Sequence, residues 1–148
     1  MRVAVGCDHA GFDLKQQALQ VLLETGHEAQ DFGCHDSRAV DYPDVAQAVA
    51  EAVADGRFER GILFCGTGIG VSITANKVRG IRAALCHETF SAVASREHND
   101  SNVLCVGARV TGPGLAGEIV KTWLETPFSG DARHVRRLEK IRQLECGL

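Results

Sequence analysis

The strongest constraint on the fold is the alternation of short, mostly apolar runs with longer stretches of helical periodicity. Five runs are predicted as strands: RVAVGCD at 2–8, EAQDF at 28–32, GILFCG at 61–66, IRAALC at 81–86 and NVLCVGA at 102–108. Parallel strands that are buried on both faces consist almost entirely of apolar residues, and helices usually connect them. The sequence therefore predicts an α/β fold in which helices cover both faces of a parallel sheet.

The segments between the strands have the apolar spacing of amphipathic helices. Their buried faces are predicted to contain Phe12, Leu14, Ala18, Leu19, Leu22 and Leu23; Val45, Val49, Ala52 and Val53; and Leu115, Ile119, Val120, Trp123 and Leu124. Gly26 and Gly56 are expected to end the first two helices. Further helices are predicted to begin near Ile69, to cover about 88–97 and to cover about 133–145.

Length and composition limit the class of protein. The 148 residues suit one domain, expected to span 1–148. A net charge of −3 does not favour a nucleic-acid partner, and no apolar run approaches the roughly 20 residues that cross a membrane. The first residues resemble a strand and not a signal peptide, so a cytoplasmic protein is expected. The six cysteines include no CxxC pair, so neither a metal site nor a disulfide framework is expected.

The ends of the predicted strands indicate where a ligand would bind, because parallel α/β sheets bind ligands beyond the carboxyl ends of their strands. Asp8 and His9 follow the first strand, the segment 65–70 follows the third, His87 follows the fourth and Arg109 follows the fifth. We expect these residues to lie along one edge of the sheet.

The segment FCGTGIG, residues 64–70, is the densest of these features. It has neither the P-loop nor the dinucleotide-binding spacing, but glycines allow several backbone amides to point at one anion. A tight turn without a ligand is the alternative. Amides at the start of a helix also stabilise a thiolate, so Cys65 is a candidate nucleophile or base. Cysteine phosphatases have an arginine six residues later, where this chain has Val71, and a base is therefore favoured.

Three other groups have both a functional and a plain structural interpretation. Asp8 could act on a ligand or cap a helix. His98 and Asn99, in REHNDSN at 96–102, could contact a ligand or belong to a polar turn. Arg133 and Arg137 share one helix face, where they could bind a phosphate or form a solvated cationic surface.

The order of the motifs resembles that of the type B ribose-5-phosphate isomerases. The matching segments are GCDHAG, DYP, CGTGIG, ANK, GIRAA, REHNDSNVL, GAR and RHVRRLEKI, and they cover nearly the whole chain. The resemblance implies a three-layer α/β/α sandwich with a five-stranded, Rossmann-like parallel sheet. It also implies reversible conversion of D-ribose 5-phosphate to D-ribulose 5-phosphate without a metal or cofactor. The enzyme would be a homodimer or tetramer whose sites are shared between subunits, with the helix at about 133–145 contributing to the site or the dimer.

The resemblance also implies a role for each site residue. Cys65 would be the base that takes the C2 proton, because part of the family uses serine here with a later glutamate, and the later position is Ile69. His98 would be the acid in ring opening, with Asp8 positioning the sugar, and Thr67 would belong to the catalytic group. The amides of Gly66, Thr67, Gly68, Ile69 and Gly70 would bind the enediolate oxygen. The remaining substrate contacts would come from His9, Tyr42, Asn99, Arg109, Arg133 and Arg137; whether His134 takes part is open.

Three alternatives stay open at this point. The same chemistry could act on a six-carbon sugar phosphate such as allose or galactose 6-phosphate. The chain could be a phosphate- or nucleotide-binding regulatory module, which would explain the glycines and arginines but not Cys65 and His98. It could also be a thiol-dependent hydrolase, which would form a covalent adduct on Cys65 and release phosphate.

Overall fold

The computed structural model describes residues 1–146, which form a parallel sheet with helices on both faces. The strands are β1 (Arg2–Cys7), β2 (Glu28–Asp31), β3 (Arg60–Cys65), β4 (Ala83–Leu85) and β5 (Val103–Gly107). The helices are α1 (Phe12–Glu24), α2 (Tyr42–Ala54), α3 (Ile69–Ala75), α4 (Thr89–Glu97), α5 (Pro113–Glu125) and α6 (Ala132–Cys146), with a short 3₁₀ helix at His9–Gly11. The predicted α/β fold is confirmed.

The sheet has five strands in the order β2-β1-β3-β5-β4, and each adjacent pair is parallel. Alternate strand residues enter two separate apolar clusters, as the period of two in a strand requires. Val5, Phe64 and Leu104 pack with α1 and α5 on one face, whereas Leu63 and Cys105 pack with α2 and α3 on the other. These two clusters are the interfaces of the predicted three-layer sandwich.

Several element boundaries differ from the predicted ones for local reasons. β1 ends before Asp8 because the Asp8 carboxylate accepts hydrogen bonds from the amides of Ala10 and Gly11. α2 begins at Tyr42, ahead of the first predicted apolar position Val45, since the fixed φ of Pro43 suits the first turn of a helix. β4 is shorter than IRAALC predicts.

The parallel arrangement gives the sheet two chemically distinct edges. Cys65 pairs in register with Gly107, so β3 and β5 end together at the carboxyl edge. Gly61 pairs with Val103 at the opposite, amino edge. None of the helices in the described residues is long and apolar enough to cross a membrane.

Candidate active site

Cys65 is the last residue of β3, and its thiol is directed at the glycine loop that follows. The residue is only 4% exposed, and the Gly68 amide donates a hydrogen bond to its Sγ over 3.1 Å. The sulfur is thus held by a backbone donor in the glycine loop. The geometry therefore suits a group that works as a base.

The backbone of the loop can reach this position because two glycines allow a close approach. Gly68 has a φ of +76°, in the left-handed region, and a Cβ there would lie 2.4 Å from Leu85 Cδ1 and 3.0 Å from the Gly107 nitrogen. A Cβ on Gly107 would lie 2.6 Å from the carbonyl carbon and oxygen of Thr67. The peptide between Thr67 and Gly68 thus lies directly on the end of β5.

Two larger side chains border the same loop. A Cβ on Gly70 would be 2.6 Å from Tyr42 Cζ, so the phenol ring covers this glycine. A Cβ on Gly66 would be 3.1 Å from Arg109 Nη1, and the Arg109 amide donates to the Gly66 carbonyl over 2.9 Å. Tyr42 and Arg109 therefore lie beside the glycines, as expected for residues at the mouth of a site.

Asp8 and His9 follow β1 at the same edge. Asp8 is 8% exposed and uses Oδ1 for both bonds to the 3₁₀ helix, so the capping interpretation is correct for this oxygen. His9 is exposed. The side chain of Thr67 is also exposed, and its hydroxyl accepts a hydrogen bond from the Ile69 amide over 3.2 Å. We call these residues, with Tyr42, Cys65–Gly70 and Arg109, the carboxyl-edge group.

The other predicted site residues lie at the amino edge. His98 caps the end of α4 and is exposed, as is Asn99, whose carbonyl accepts a hydrogen bond from Arg82 Nε over 3.1 Å. The ring of His98 stacks on that of His134 in α6, with centroids 4.4 Å apart. Arg133 and Arg137 are exposed on the same first turns of α6. We call His98, Asn99, Arg133, His134 and Arg137 the amino-edge group.

The structure does not bring the two groups together within one chain. α4 starts beyond the carboxyl end of β4 and returns to the amino end of β5, where Asn102 accepts a hydrogen bond from the Gly61 amide over 2.9 Å. β5 has five residues and at about 3.3 Å per residue is about 16 Å long. A pocket that uses Cys65 and His98 at once therefore needs the two groups from different chains.

Burial shifts the pKa values of three other cysteines and of His134, the histidine stacked on His98. Burial raises the pKa of Cys7 to about 12 and that of Cys86 to about 11, and it raises the pKa of the fully buried Cys105 well above the usual value. These thiols therefore act as small apolar residues. Burial, followed by the nearby His98 and Arg133, lowers the pKa of His134.

Two polar contacts were not predicted from the sequence. His87 is placed at the carboxyl edge by its position after β4, but only the structure shows that its Nε2 lies 3.2 Å from the Thr67 carbonyl oxygen. Lys15 falls between apolar residues of α1 and is fully buried, with its Nζ 2.7 Å from the Asp31 carboxylate. No local sequence signal identifies either contact, since both partners are distant along the chain.

Comparisons with known proteins agree with this geometry. The family described as Ribose/Galactose Isomerase matches residues 3–141. The chain is 50% identical to ribose-5-phosphate isomerase B of Escherichia coli over 144 residues, which cover 97% of this chain and 96% of the relative. It is 45% identical to D-erythrulose-4-phosphate isomerase of Pectobacterium atrosepticum over 147 residues, covering 98% and 95%.

The fold is equally similar to solved structures. Ribose-5-phosphate isomerase B of Clostridium thermocellum superposes with a TM-score of 0.97 at 50% sequence identity, covering 99% of both chains. Similarity at this level extends over the whole sheet and every helix described above, and over the segments that carry both site groups. The chain therefore belongs to the Ribose/Galactose Isomerase family and is an isomerase.

Proposed function

We propose that the protein interconverts D-ribose 5-phosphate and D-ribulose 5-phosphate in a site built from two subunits. The observation that carries the proposal is the Gly68 amide on the Cys65 thiol, at the centre of a loop whose backbone can bind an oxyanion. The E. coli and C. thermocellum relatives, both named as ribose-5-phosphate isomerase B, support the choice of substrate.

The chemistry begins with opening of the sugar ring. His98 donates a proton to the ring oxygen while the C1 hydroxyl loses its proton, which yields the open-chain aldehyde. Asp8 holds the sugar hydroxyls near the glycine loop. The Cys65 thiolate then takes the C2 proton, and the electron pair moves through C1 and C2 to leave a negative charge on O1.

The resulting cis-enediolate is the species that the loop is built to bind. The amides of 66–70 follow Cys65 directly along the chain, and one well-placed donor to such an oxyanion is typically worth about 2.7–4 kcal/mol. Return of the proton to C1 and transfer of the O2 proton to O1 give the ketose. The Thr67 hydroxyl accepts a hydrogen bond from the Ile69 amide and can still donate its own proton to the substrate.

The phosphate is bound by cationic side chains from both groups. Arg133 and Arg137 lie four residues apart on one face of α6, and their forked donors suit a phosphate dianion. His9 and Arg109 approach from the carboxyl edge, and Asn99 contacts the sugar. Since the groups are at opposite edges of one sheet, a two-fold related partner supplies the arginines, and the protein is a homodimer or a tetramer of such dimers. α6 is thereby part of both the site and the assembly of this one-domain chain.

A second candidate keeps the mechanism and changes the carbon count of the sugar. The P. atrosepticum relative, named for a four-carbon ketose phosphate, and the family description, which includes galactose, favour testing other chain lengths. Proton transfer between C1 and C2 does not depend on the rest of the sugar. The depth of the pocket therefore determines which length of sugar phosphate the enzyme prefers. A cytoplasmic location stays a prediction.

The direct test incubates the purified protein with D-ribose 5-phosphate and a chelator and measures ketose formation. Allose 6-phosphate is assayed in the same way, and D-erythrulose 4-phosphate, which is already a ketose, is assayed for aldose formation. We expect ribose 5-phosphate to have the highest kcat/KM and the Cys65→Ala variant to bind it without turnover. A higher kcat/KM for another sugar phosphate would identify that compound as the preferred substrate. A fully active Cys65→Ala variant would exclude Cys65 as the base.

A further inference from the structure

One peptide unit joins His87 to Cys65. The carbonyl oxygen of Thr67 lies 3.2 Å from His87 Nε2, and the amide of Gly68, the other end of the same peptide bond, donates to Cys65 Sγ over 3.1 Å. His87 follows β4 and Cys65 ends β3, with β5 between the two strands in the sheet. The contact therefore crosses the carboxyl edge of three strands.

The planarity of the peptide makes this link rigid. In a trans peptide the C=O and N–H groups lie in one plane and point in opposite directions. A partner that fixes the Thr67 oxygen therefore also fixes the direction of the Gly68 hydrogen. Because a carbonyl oxygen only accepts, His87 Nε2 must be the donor in this contact.

The peptide needs such a partner because glycine allows it to turn. Gly68 tolerates both positive and negative φ, so rotation of the Thr67–Gly68 peptide has little intrinsic cost at that residue. The end of β5 limits movement on one side, where a Cβ on Gly107 would overlap the Thr67 carbonyl at 2.6 Å. The opposite side is exposed at Thr67, and there His87 supplies the contact.

We propose that His87 is a positioning residue for the base: its Nε2–H holds the Thr67 carbonyl so that the Gly68 amide stays directed at Cys65. This inference rests on the proposed role of Cys65. His87 does not touch the reacting atoms, and its effect passes through one peptide to the thiol. Loss of the bond leaves Cys65 with a less well-aligned donor.

The test compares two replacements of His87. His87→Phe keeps a flat ring and has no donor, whereas His87→Gln places an amide N–H at about the position of Nε2. For each protein, the rate at which iodoacetamide modifies Cys65 is measured against pH by peptide mapping, and kcat and KM are measured separately. Asp8 and Arg109, the charged residues that border the loop, are the same in all proteins.

We expect His87→Phe to change the rate at which iodoacetamide modifies Cys65, because the Gly68 amide is no longer held against the sulfur. It should also lower kcat by roughly three- to tenfold, the effect of one ordinary hydrogen bond, with KM little changed. His87→Gln should restore most of the wild-type alkylation rate of Cys65 and most of the wild-type kcat. Glu88→Ala is the matched control: it removes the Glu88 cap on the Ser91 amide at the start of α4 without touching Thr67, so it should lower stability but leave the profile unchanged.

Two results would overturn the inference. The first is a His87→Phe protein whose Cys65 alkylation rate and kcat both equal those of the wild type. The second is a His87→Gln protein whose alkylation rate and kcat differ from the wild type as much as those of His87→Phe. That result would show that the hydrogen donated to the Thr67 carbonyl has no effect on Cys65. If the wild type turns over none of the sugar phosphates, the proposed function fails, but the alkylation profiles still decide the role of His87.

Discussion

The imidazole rings of His98 and His134 stack with their planes only 12° apart and their centroids 4.4 Å apart. This contact fixes the end of α4 against the first turns of α6, which carry Arg133 and Arg137. His134 is 4% exposed, and its Nε2 has no hydrogen-bond partner among the described residues. A proton on His134 would therefore be poorly solvated and would face a second imidazole.

This arrangement predicts that the fold loses stability as the pH falls. Burial, His98 and Arg133 place the pKa of His134 below 6.5 in the folded chain, so the unfolded chain binds more protons below that pH. Burial lowers the pKa of His27 in the same direction. The free energy of unfolding should be constant with respect to both groups well above pH 6.5 and should decrease as the pH falls through that value, where the unfolded histidines gain protons. Urea unfolding between pH 5 and 8 measures this.

A substitution isolates the share of His134. His134→Phe keeps an aromatic ring on His98 and removes the titrating group, so the decrease below pH 6.5 should become shallower. His27→Phe should reduce it independently, because the two residues lie in different parts of the fold. An unchanged slope in both variants would assign the acid sensitivity to other groups.

Gly68 should be much less tolerant of a side chain than another glycine with the same backbone conformation. Gly68→Ala should lower the free energy of unfolding by about 1–2 kcal/mol, because alanine disfavours the left-handed conformation, and by about 1–3 kcal/mol more, because its Cβ overlaps the backbone of β5. Gly56→Ala, with a φ of +74° and no atom within 4 Å of the new Cβ, should show the first cost alone.

The same pair of variants should separate stability from activity. Gly68→Ala moves the amide that contacts Cys65 and should lower kcat strongly, whereas Gly56→Ala should leave kcat unchanged. Urea unfolding and turnover of ribose 5-phosphate measure the two effects. Equal losses of stability would show that the loop has room to move away from Gly107.

The sequence was sufficient to predict where most of the carboxyl-edge group lies, because that position depends only on neighbouring residues in the chain. All of its members except Tyr42 follow an apolar run, and parallel strands end at one edge, so Asp8, Cys65 and Arg109 could be predicted to converge. The strand order was not accessible, since β5 lies between β3 and β4 and nothing in the sequence specifies which strands pair. The separation of His98 from Cys65 follows from the length of α4 and became clear only from the pairing.

Buried polar residues were also beyond the sequence pattern. Lys15 occupies a helix between apolar positions, and its burial is possible because Asp31 and the Cys34 carbonyl both contact its ammonium group. Charged residues are almost never fully buried unless they are paired, and the pairing partners here come from a different element. The His87 contact escaped prediction for the same reason.

The thiols of the folded protein should differ sharply in reactivity. Only thiolates react with iodoacetamide. Burial raises the pKa of Cys7 to about 12 and that of Cys86 to about 11, and it raises the pKa of Cys105 well above its usual value. At pH 8 these three should remain unmodified while the protein is folded and react in urea. Peptide mapping of both samples measures this, and equal labelling of Cys105 with and without urea would contradict the burial argument.

The opposite placement of the two site groups predicts complementation between inactive variants. Cys65→Ala damages the carboxyl-edge group, and His98→Asn damages the amino-edge group. If each site combines one group from each subunit, a heterodimer of these variants contains one intact site and one doubly damaged site. After unfolding and refolding of an equal mixture, random pairing makes half of the dimers heterodimers, so about a quarter of the wild-type activity should return.

The matched control pairs two variants of the same group. In a Cys65→Ala and Asp8→Asn mixture, every site of every dimer receives a damaged carboxyl-edge group, so no activity beyond that of the separate variants should return. Turnover of ribose 5-phosphate is measured for each variant before and after mixing. Recovery in both mixtures would contradict sites shared in this way, and recovery in neither would place Cys65 and His98 of one chain in the same site, against the separation of the two sheet edges.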